Sequence, residues 1–239
     1  NKNPYYNYYQ YVPHRTTSYL NNVIYNTYVN DESALYNQAD VFFNIQAKYA
    51  INASMMYALA LNESGLGLSQ YALEYHNLFG HAAIDENPDN ANQYKSIADC
   101  VQQHAYNFLQ QGYLNPEDSR YHGSWFGDKA SGINVNYASD PYWGEKAASF
   151  YYQLDEDGID QKKNPIKTIQ LSKDLKVYAP NKKDVLYTYK KGSIVSINIL
   201  KDEHRYYKIS SEAPVKDNHL NVNAKYKNSY AYIKKSDFK

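Results

Sequence analysis

The chain has 239 residues, room for one large domain or a domain with a smaller module, and its 25 basic and 25 acidic side chains cancel. One cysteine, Cys100, excludes an intramolecular disulfide framework, and no apolar run is long enough to suggest a membrane span. No glycine loop of the phosphate-cradling kind is present, and His76 and His81 lack the His-Glu-x-x-His spacing of a zinc helix, so no cofactor or metal is expected.

The charge is unevenly spread. Residues 1–164 hold 9 Lys+Arg against 18 Asp+Glu, a balance of −9, and residues 165–239 hold 16 against 7, a balance of +9. Two modules with different partners would look like this, and so would solvated strand faces with no partner. The basic residues of the second part are scattered without a nucleic-acid motif, so nucleic acid is not expected as a partner. The 29 tyrosines suit sugar-lining clefts and β-rich modules, although a regional genome bias would enrich them too.

In chain order, residues 1–15 place Tyr5, Tyr6, Tyr8, Tyr9 and Tyr11 around Pro4 and Pro13 and read as an extended arm over a domain. Apolar residues from Ala34 to Ala50 recur at helical spacing, which predicts a helix over 33–49. Asn52 or Ser54 can cap a second helix through Met55, Met56, Ala58, Leu59 and Leu61, so apolar all round that it must be buried. It ends at Glu63, before Ser64-Gly65. Ser69 caps a short third helix ending near Tyr75. Residues 80–95 are polar and irregular. Ser96-x-x-Asp99 has the form of a capping box before a stripe of Ile97, Cys100, Val101, His104, Ala105 and Phe108 that ends at Gly112. Residues 112–136 are loop-like, with Gly123, Gly127 and Gly132 and the ring pair Trp125 and Phe126, which could stack on a sugar. A loop of this length is usually functional. Asp140-Pro141 opens a last helix with Trp143, Ala147, Phe150 and Leu154 inward. Residues 155–165 read as a charged linker. Short alternating runs at 175–178, 186–189, 193–200, 205–209 and 230–233 then read as strands.

Glu63 is the candidate acid. A carboxyl at a helix C-terminus faces the negative end of the macrodipole, and apolar neighbours also favour its protonated form. Three motifs stand in order: Ala58-Leu-Ala-Leu-Asn-Glu63-Ser-Gly65, Asn77-Leu-Phe79-Gly80 and Tyr137-Ala-Ser-Asp140-Pro-Tyr142. Together they resemble the glucosaminidase family (glycoside hydrolase family 73), the autolysins that cut the glycan of bacterial peptidoglycan, over roughly residues 16–154. Lys191-Gly192 and the closing Tyr-Ile-Lys-Lys-Ser-Asp similarly resemble bacterial SH3-like wall modules.

The resemblance implies an α+β chain. A mainly helical, lysozyme-like catalytic domain (16–154) with a small irregular or β lobe follows the arm (1–15), and a linker (155–165) leads to a small SH3-like β-barrel (166–239). It implies hydrolysis of the β-1,4 bond after N-acetylglucosamine in a secreted, wall-associated bacterial protein. Peptidoglycan strands would be the partner, with anionic wall polymers on the basic module. Glu63 would be the general acid, Tyr137 an active-site tyrosine, and Asn77 and Phe79 a backbone-fixing amide and a ring flanking the sugar. A second carboxylate would come from the stretch holding Asp85, Glu86 and Asp89. Asp85 is the candidate, although this stretch departs from the longer hairpin of relatives. Without it, the 2-acetamido group of the sugar would act as nucleophile, oriented by Tyr137. Asp140 has a sufficient role as a helix cap. A lytic transglycosylase and an inactive wall-binding or adhesive protein are the alternatives.

Overall fold

The computed structural model describes residues 8–81 and 92–239. Helices fill the first part: α1 (Asn22–Tyr28), α2 (Ala39–Tyr49), α3 (Ala53–Glu63), α4 (Gln70–Tyr75), α5 (Ile97–Gln103), α6 (Trp143–Leu154) and α7 (Ile159–Lys163). A π-helical stretch, His104–Tyr113, continues α5, and a 3-10 turn spans Ile133–Val135.

Helix α3 is central. Every residue from Ala53 to Leu61 is buried, as its all-round apolar sequence demands, and α3 packs against α2 and α6. Asn52 caps it by accepting the Met55 N–H at 3.0 Å, while its amide donates to Thr16 Oγ1 and the Tyr151 hydroxyl. Helix α2 begins only at Ala39, six residues after the sequence expectation. The residues before it form turns held by outside partners, the Ala34 N–H donating to the Gly67 carbonyl and Ser33 Oγ to that of Leu66. At α5, Ser96 Oγ accepts the Asp99 N–H, whereas the Asp99 carboxylate takes the amide of Lys95 rather than that of Ser96.

The second part is an antiparallel lobe. Strands β1 (Ile166–Gln170), β2 (Leu175–Tyr178), β3 (Val185–Tyr189), β4 (Ile194–Asp202), β5 (Tyr206–Ser210) and β8 (Tyr230–Lys234) form one sheet in the order β1-β4-β5-β8-β2-β3, and β6 (Val215–Lys216) pairs with β7 (His219–Leu220). Alternation drives one face of the large sheet into a core of Leu175, Val177, Val195, Ile197, Ile209 and Ile233. Trp125, from the glycine-rich loop of the helical part, completes that core at 1 % exposure.

The two parts are joined by buried contacts. Buried Arg15 donates from Nε to the Glu212 carbonyl (3.1 Å) and from Nη1 to that of Tyr49 (2.5 Å), and its guanidinium lies 4.1 Å from the Tyr226 ring centre. Residues 155–165, expected as a linker, carry α7 and are fixed: Asp160 is buried and accepts the Tyr151 hydroxyl (2.7 Å) and the Tyr19 N–H (2.6 Å). The Tyr9 hydroxyl donates to Asp155 at 2.9 Å, so the described part of the arm is pinned to the same segment. No described helix is long and apolar enough to cross a membrane.

Candidate active site

A cavity of about 520 Å³ opens at the C-terminal end of α3, lined by Glu63, Phe79, His81, Phe108, Tyr113, Tyr137, Asp140, Trp143 and Lys146 among others. Four chain segments converge there, each for a local reason.

Glu63 is the last residue of α3. Beyond it Ser64 Oγ accepts the Gly67 N–H (2.8 Å), and the chain turns through Gly65, Leu66 and Gly67 at positive φ. Gly67 has no room for a side chain, since a Cβ would stand 2.2 Å from Ser33 Oγ and 3.1 Å from the Leu35 nitrogen. The turn therefore leaves the half-buried Glu63 carboxyl facing the cavity. Burial raises its pKa, the hydrogen bond donated by Trp143 Nε1–H to Glu63 Oε1 works in the opposite direction, and the Asp140 charge adds to the rise. The net direction is upward, toward a carboxyl that holds a proton.

Trp143 opens α6 and is 3 % exposed. The helix start presses so closely on the loop that a Cβ at Gly144 would stand 2.0 Å from the Gly127 carbonyl oxygen. The half-buried Tyr137 stacks on the Trp143 ring, centres 4.6 Å apart and planes at 29°, and is tilted against Tyr113 at 5.3 Å. Its pKa is pushed well above the usual phenol value by burial and then by the Glu63 charge, so its hydroxyl stays a neutral donor.

The third wall is a set of stacked rings. Phe79 lies on His104 (3.8 Å, 11°) and His81 on Phe108 (3.9 Å, 5°). The π-helical stretch supplies His104, Phe108 and Tyr113 to this side. Burial lowers the His81 pKa to about 4, so the ring is neutral at pH 7, with Nδ1 2.6 Å from the Tyr94 hydroxyl and Nε2 3.2 Å from His104 Nδ1.

Asp140 sits at the rim. It accepts the Tyr142 N–H (2.9 Å) in the turn before α6, so it does not cap the helix as expected, because α6 starts only at Trp143 and no side chain caps it; its pairing with Lys146 Nζ at 2.6 Å holds its carboxyl below the usual range. Among the described residues, Glu63 and Asp140 are the carboxylates lining the cavity. No group of three or more His, Cys, Asp or Glu able to hold a metal occurs among the described residues.

Glu63, Tyr137 and Phe79 thus meet in one cavity, and Asp85 lies outside the described residues. Asn77 is 1 % exposed and does not line the cavity. Its Oδ1 accepts the His81 N–H (3.0 Å) and its Nδ2 donates to the carbonyls of His81 and Asn92, so it clamps the turn that carries Phe79 and His81. Trp125 and Phe126, expected to stack on sugar, are corrected by burial. Trp125 belongs to the sheet core, and Phe126, at 0 % exposure, packs T-shaped against Trp143 with ring centres 5.8 Å apart. Sequence reasoning missed His81 and Tyr113 as cavity walls and assigned Phe108 and Trp143 to the core. For Trp143 the signal was its place three residues after Asp140, in the motif that carries Tyr137.

Comparison with known proteins identifies the family of the helical part. The family model described as mannosyl-glycoprotein endo-beta-N-acetylglucosaminidase, the glucosaminidase family, matches residues 39–156. Two Streptococcus pneumoniae proteins, from strains TIGR4 and R6, are 35 % identical over 126 residues, which is 53 % of this chain. Each carries the name "Putative endo-beta-N-acetylglucosaminidase", and the matched stretch spans only 18 % and 17 % of their lengths. Among solved structures, a catalytic mutant of S. aureus Autolysin E in complex with the disaccharide NAG-NAM superposes with a TM-score of 0.50 at 20 % identity, over 62 % of this chain and 72 % of that one. Autolysin E bound to a muropeptide gives 0.50 at 21 % over the same shares. These likenesses establish the fold.

Proposed function

Residues 39–156 belong to the glucosaminidase family, and from that premise we propose that the chain hydrolyses the β-1,4 bond after N-acetylglucosamine in bacterial peptidoglycan, with Glu63 as general acid. One observation carries the reading: a carboxyl whose pKa is raised by burial opens into a ring-walled cavity, beside a neutral tyrosine hydroxyl. The NAG-NAM disaccharide held by S. aureus Autolysin E supports the choice of glycan.

The residues favour a substrate-assisted route. Glu63 gives its proton to the leaving glycosidic oxygen as the C1–O bond breaks, and the acetamido oxygen of the same sugar closes onto C1. Tyr137 O–H donates to the acetamido group and orients it, while the Phe79 and Phe108 side bounds the sugar. Water then attacks C1, its proton passes to Glu63, and the acetamido group is released. Asp140 is a poor second carboxylate because Lys146 already neutralises it. If Asp85 supplied the second carboxylate, Tyr137 would be dispensable.

The same acid could serve a lytic transglycosylase, in which an internal hydroxyl replaces water. Product analysis tests the proposal. Digested peptidoglycan should carry new reducing N-acetylglucosamine ends, and anhydro-muramyl ends in their place would overturn hydrolysis. An inactive wall-binding protein would give neither. We further propose a secreted, wall-associated location, which follows from this substrate.

A further inference from the structure

A second cleft, of about 650 Å³, lies where the helical part meets the sheet, far in sequence from the motifs of the first. Its floor holds Arg15 and Asn198, and its sides hold Lys208, Tyr226, Lys227 and Tyr230. Arg15 is 4 % exposed, and its hydrogen bonds go to backbone carbonyls rather than to a carboxylate. Its Nη2 has no hydrogen-bond partner among the described residues. Glu212, the neighbouring acid, is itself buried and pushed up to about 7, so it offsets the guanidinium only in part. Lys208 Nζ stands 3.7 Å from the Tyr230 ring centre, and no described carboxylate lies within ion-pairing distance of Arg15, Lys208 or Lys227. A buried cation under the floor with two lysines above it gives the cleft a positive potential in a partly desolvated place. Tyrosine rings and the Asn198 Oδ1, which has no partner among the described residues while its amide nitrogen is bonded to the Arg15 carbonyl and Ser210 Oγ, are groups that meet a sugar ring and its hydroxyls.

We infer that this interlobe cleft binds an acidic saccharide, a sugar unit that carries a carboxylate. The inference rests on reading the chain as a glycan hydrolase, and it gives the sheet lobe a share in holding the same polymer: Lys208 and Lys227 meet the carboxylate and Tyr230 the ring face, while the first cavity holds the bond to be cut.

The test is an NMR titration of the ¹⁵N-labelled full chain bearing Glu63→Gln, which blocks turnover. The probes are the NAG-NAM disaccharide, whose lactyl group is a carboxylate, the neutral N,N′-diacetylchitobiose, and poly(glycerol phosphate). The acidic disaccharide should shift the amides of Lys208, Ser229 and Tyr230, the neutral one should not, and the double variant Lys208→Gln/Lys227→Gln should weaken that binding about tenfold. Lys227 is exposed and Lys208 half-buried against the Tyr230 ring, and neither is in an ion pair among the described residues, so the variant should melt within a few degrees of the parent. Absent shifts there, equal shifts with the neutral disaccharide, or unchanged affinity in the double variant would each overturn the inference. Shifts with poly(glycerol phosphate) alone would also overturn it, in favour of a phosphodiester polymer. Shifts near Glu63 and Tyr137 report separately on the first cavity, so either reading can fail without the other.

Discussion

Trp143 Nε1–H donates to one oxygen of Glu63, and this bond opposes the burial that raises the Glu63 pKa. A general acid works only while protonated, so the rate should fall as pH rises through the Glu63 pKa in the folded protein. Trp143→Phe keeps the ring under Tyr137 but removes a donor that favours the ionised form. The alkaline limb of the pH–rate profile should therefore move up by about one pH unit, since a hydrogen bond to a charged group is worth about 1.5–3 kcal/mol. A limb that stays put or moves down would show that Trp143 does not tune the acid. On the proposed substrate-assisted route, Tyr137→Phe removes the donor to the acetamido group and should lower kcat roughly a hundredfold with little change in melting temperature. If it is mild and Asp85→Asn is severe, the second carboxylate replaces substrate assistance. Glu63 was legible in the sequence because helix end, apolar run and Ser-Gly turn are all local. The ring stack was not, because His81 and Phe108 are 27 positions apart and only the fold lays one on the other.

Helix α6 shows how an element carries a site. Alanine is favoured over glycine in a helix by about 1 kcal/mol, yet Gly144→Ala should destabilise the protein, because its Cβ would meet the Gly127 carbonyl oxygen at 2.0 Å. The helix start would have to move and take Trp143 with it. Both melting temperature and rate should drop, and a variant at least as stable and active as the parent would refute this packing account. The strands β2, β3, β4, β5 and β8 were readable from alternation to within one or two residues, as was the buried α3. The start of α2 was not, since the apolar residues before Ala39 are taken into turns by partners near Gly67. Trp125 misled for the same kind of reason. Its glycine-rich surroundings read as an exposed loop, but Tyr189 and the sheet core that cover it come from more than forty residues later.

Across the whole molecule, the charge split suggested a sheet lobe tethered to the wall by a linker, whereas the contacts favour a brace. Arg15, Trp125 and Tyr121 of the first part are buried in or bonded to the second, the Tyr121 hydroxyl donating to that of Tyr189 at 3.0 Å. A fragment of residues 1–160 would expose Trp125 and should melt well below the full chain, and equal melting would restore the tether. The joint is also pH-sensitive. Burial displaces the Glu212 carboxyl from 4.5 to about 7, so the folded form keeps a proton that the unfolded chain has lost across this window. Its contribution to stability is therefore full below pH 4.5 and is lost as pH rises to about 7, an effect on the order of 3 kcal/mol. Glu212→Gln should gain stability over the parent progressively from pH 5 to pH 8 in urea unfolding. A constant difference across that range would mean that Glu212 does not titrate this way.

The proposed reaction depends first on Glu63 as the proton donor, and the most direct measurement is the rate at which purified Glu63→Gln releases reducing ends from peptidoglycan. Glutamine keeps the shape and can still accept the Trp143 hydrogen bond, so the fold should hold while the rate falls by about two to four orders of magnitude. A correctly folded Glu63→Gln protein that works within threefold of the parent would contradict the account.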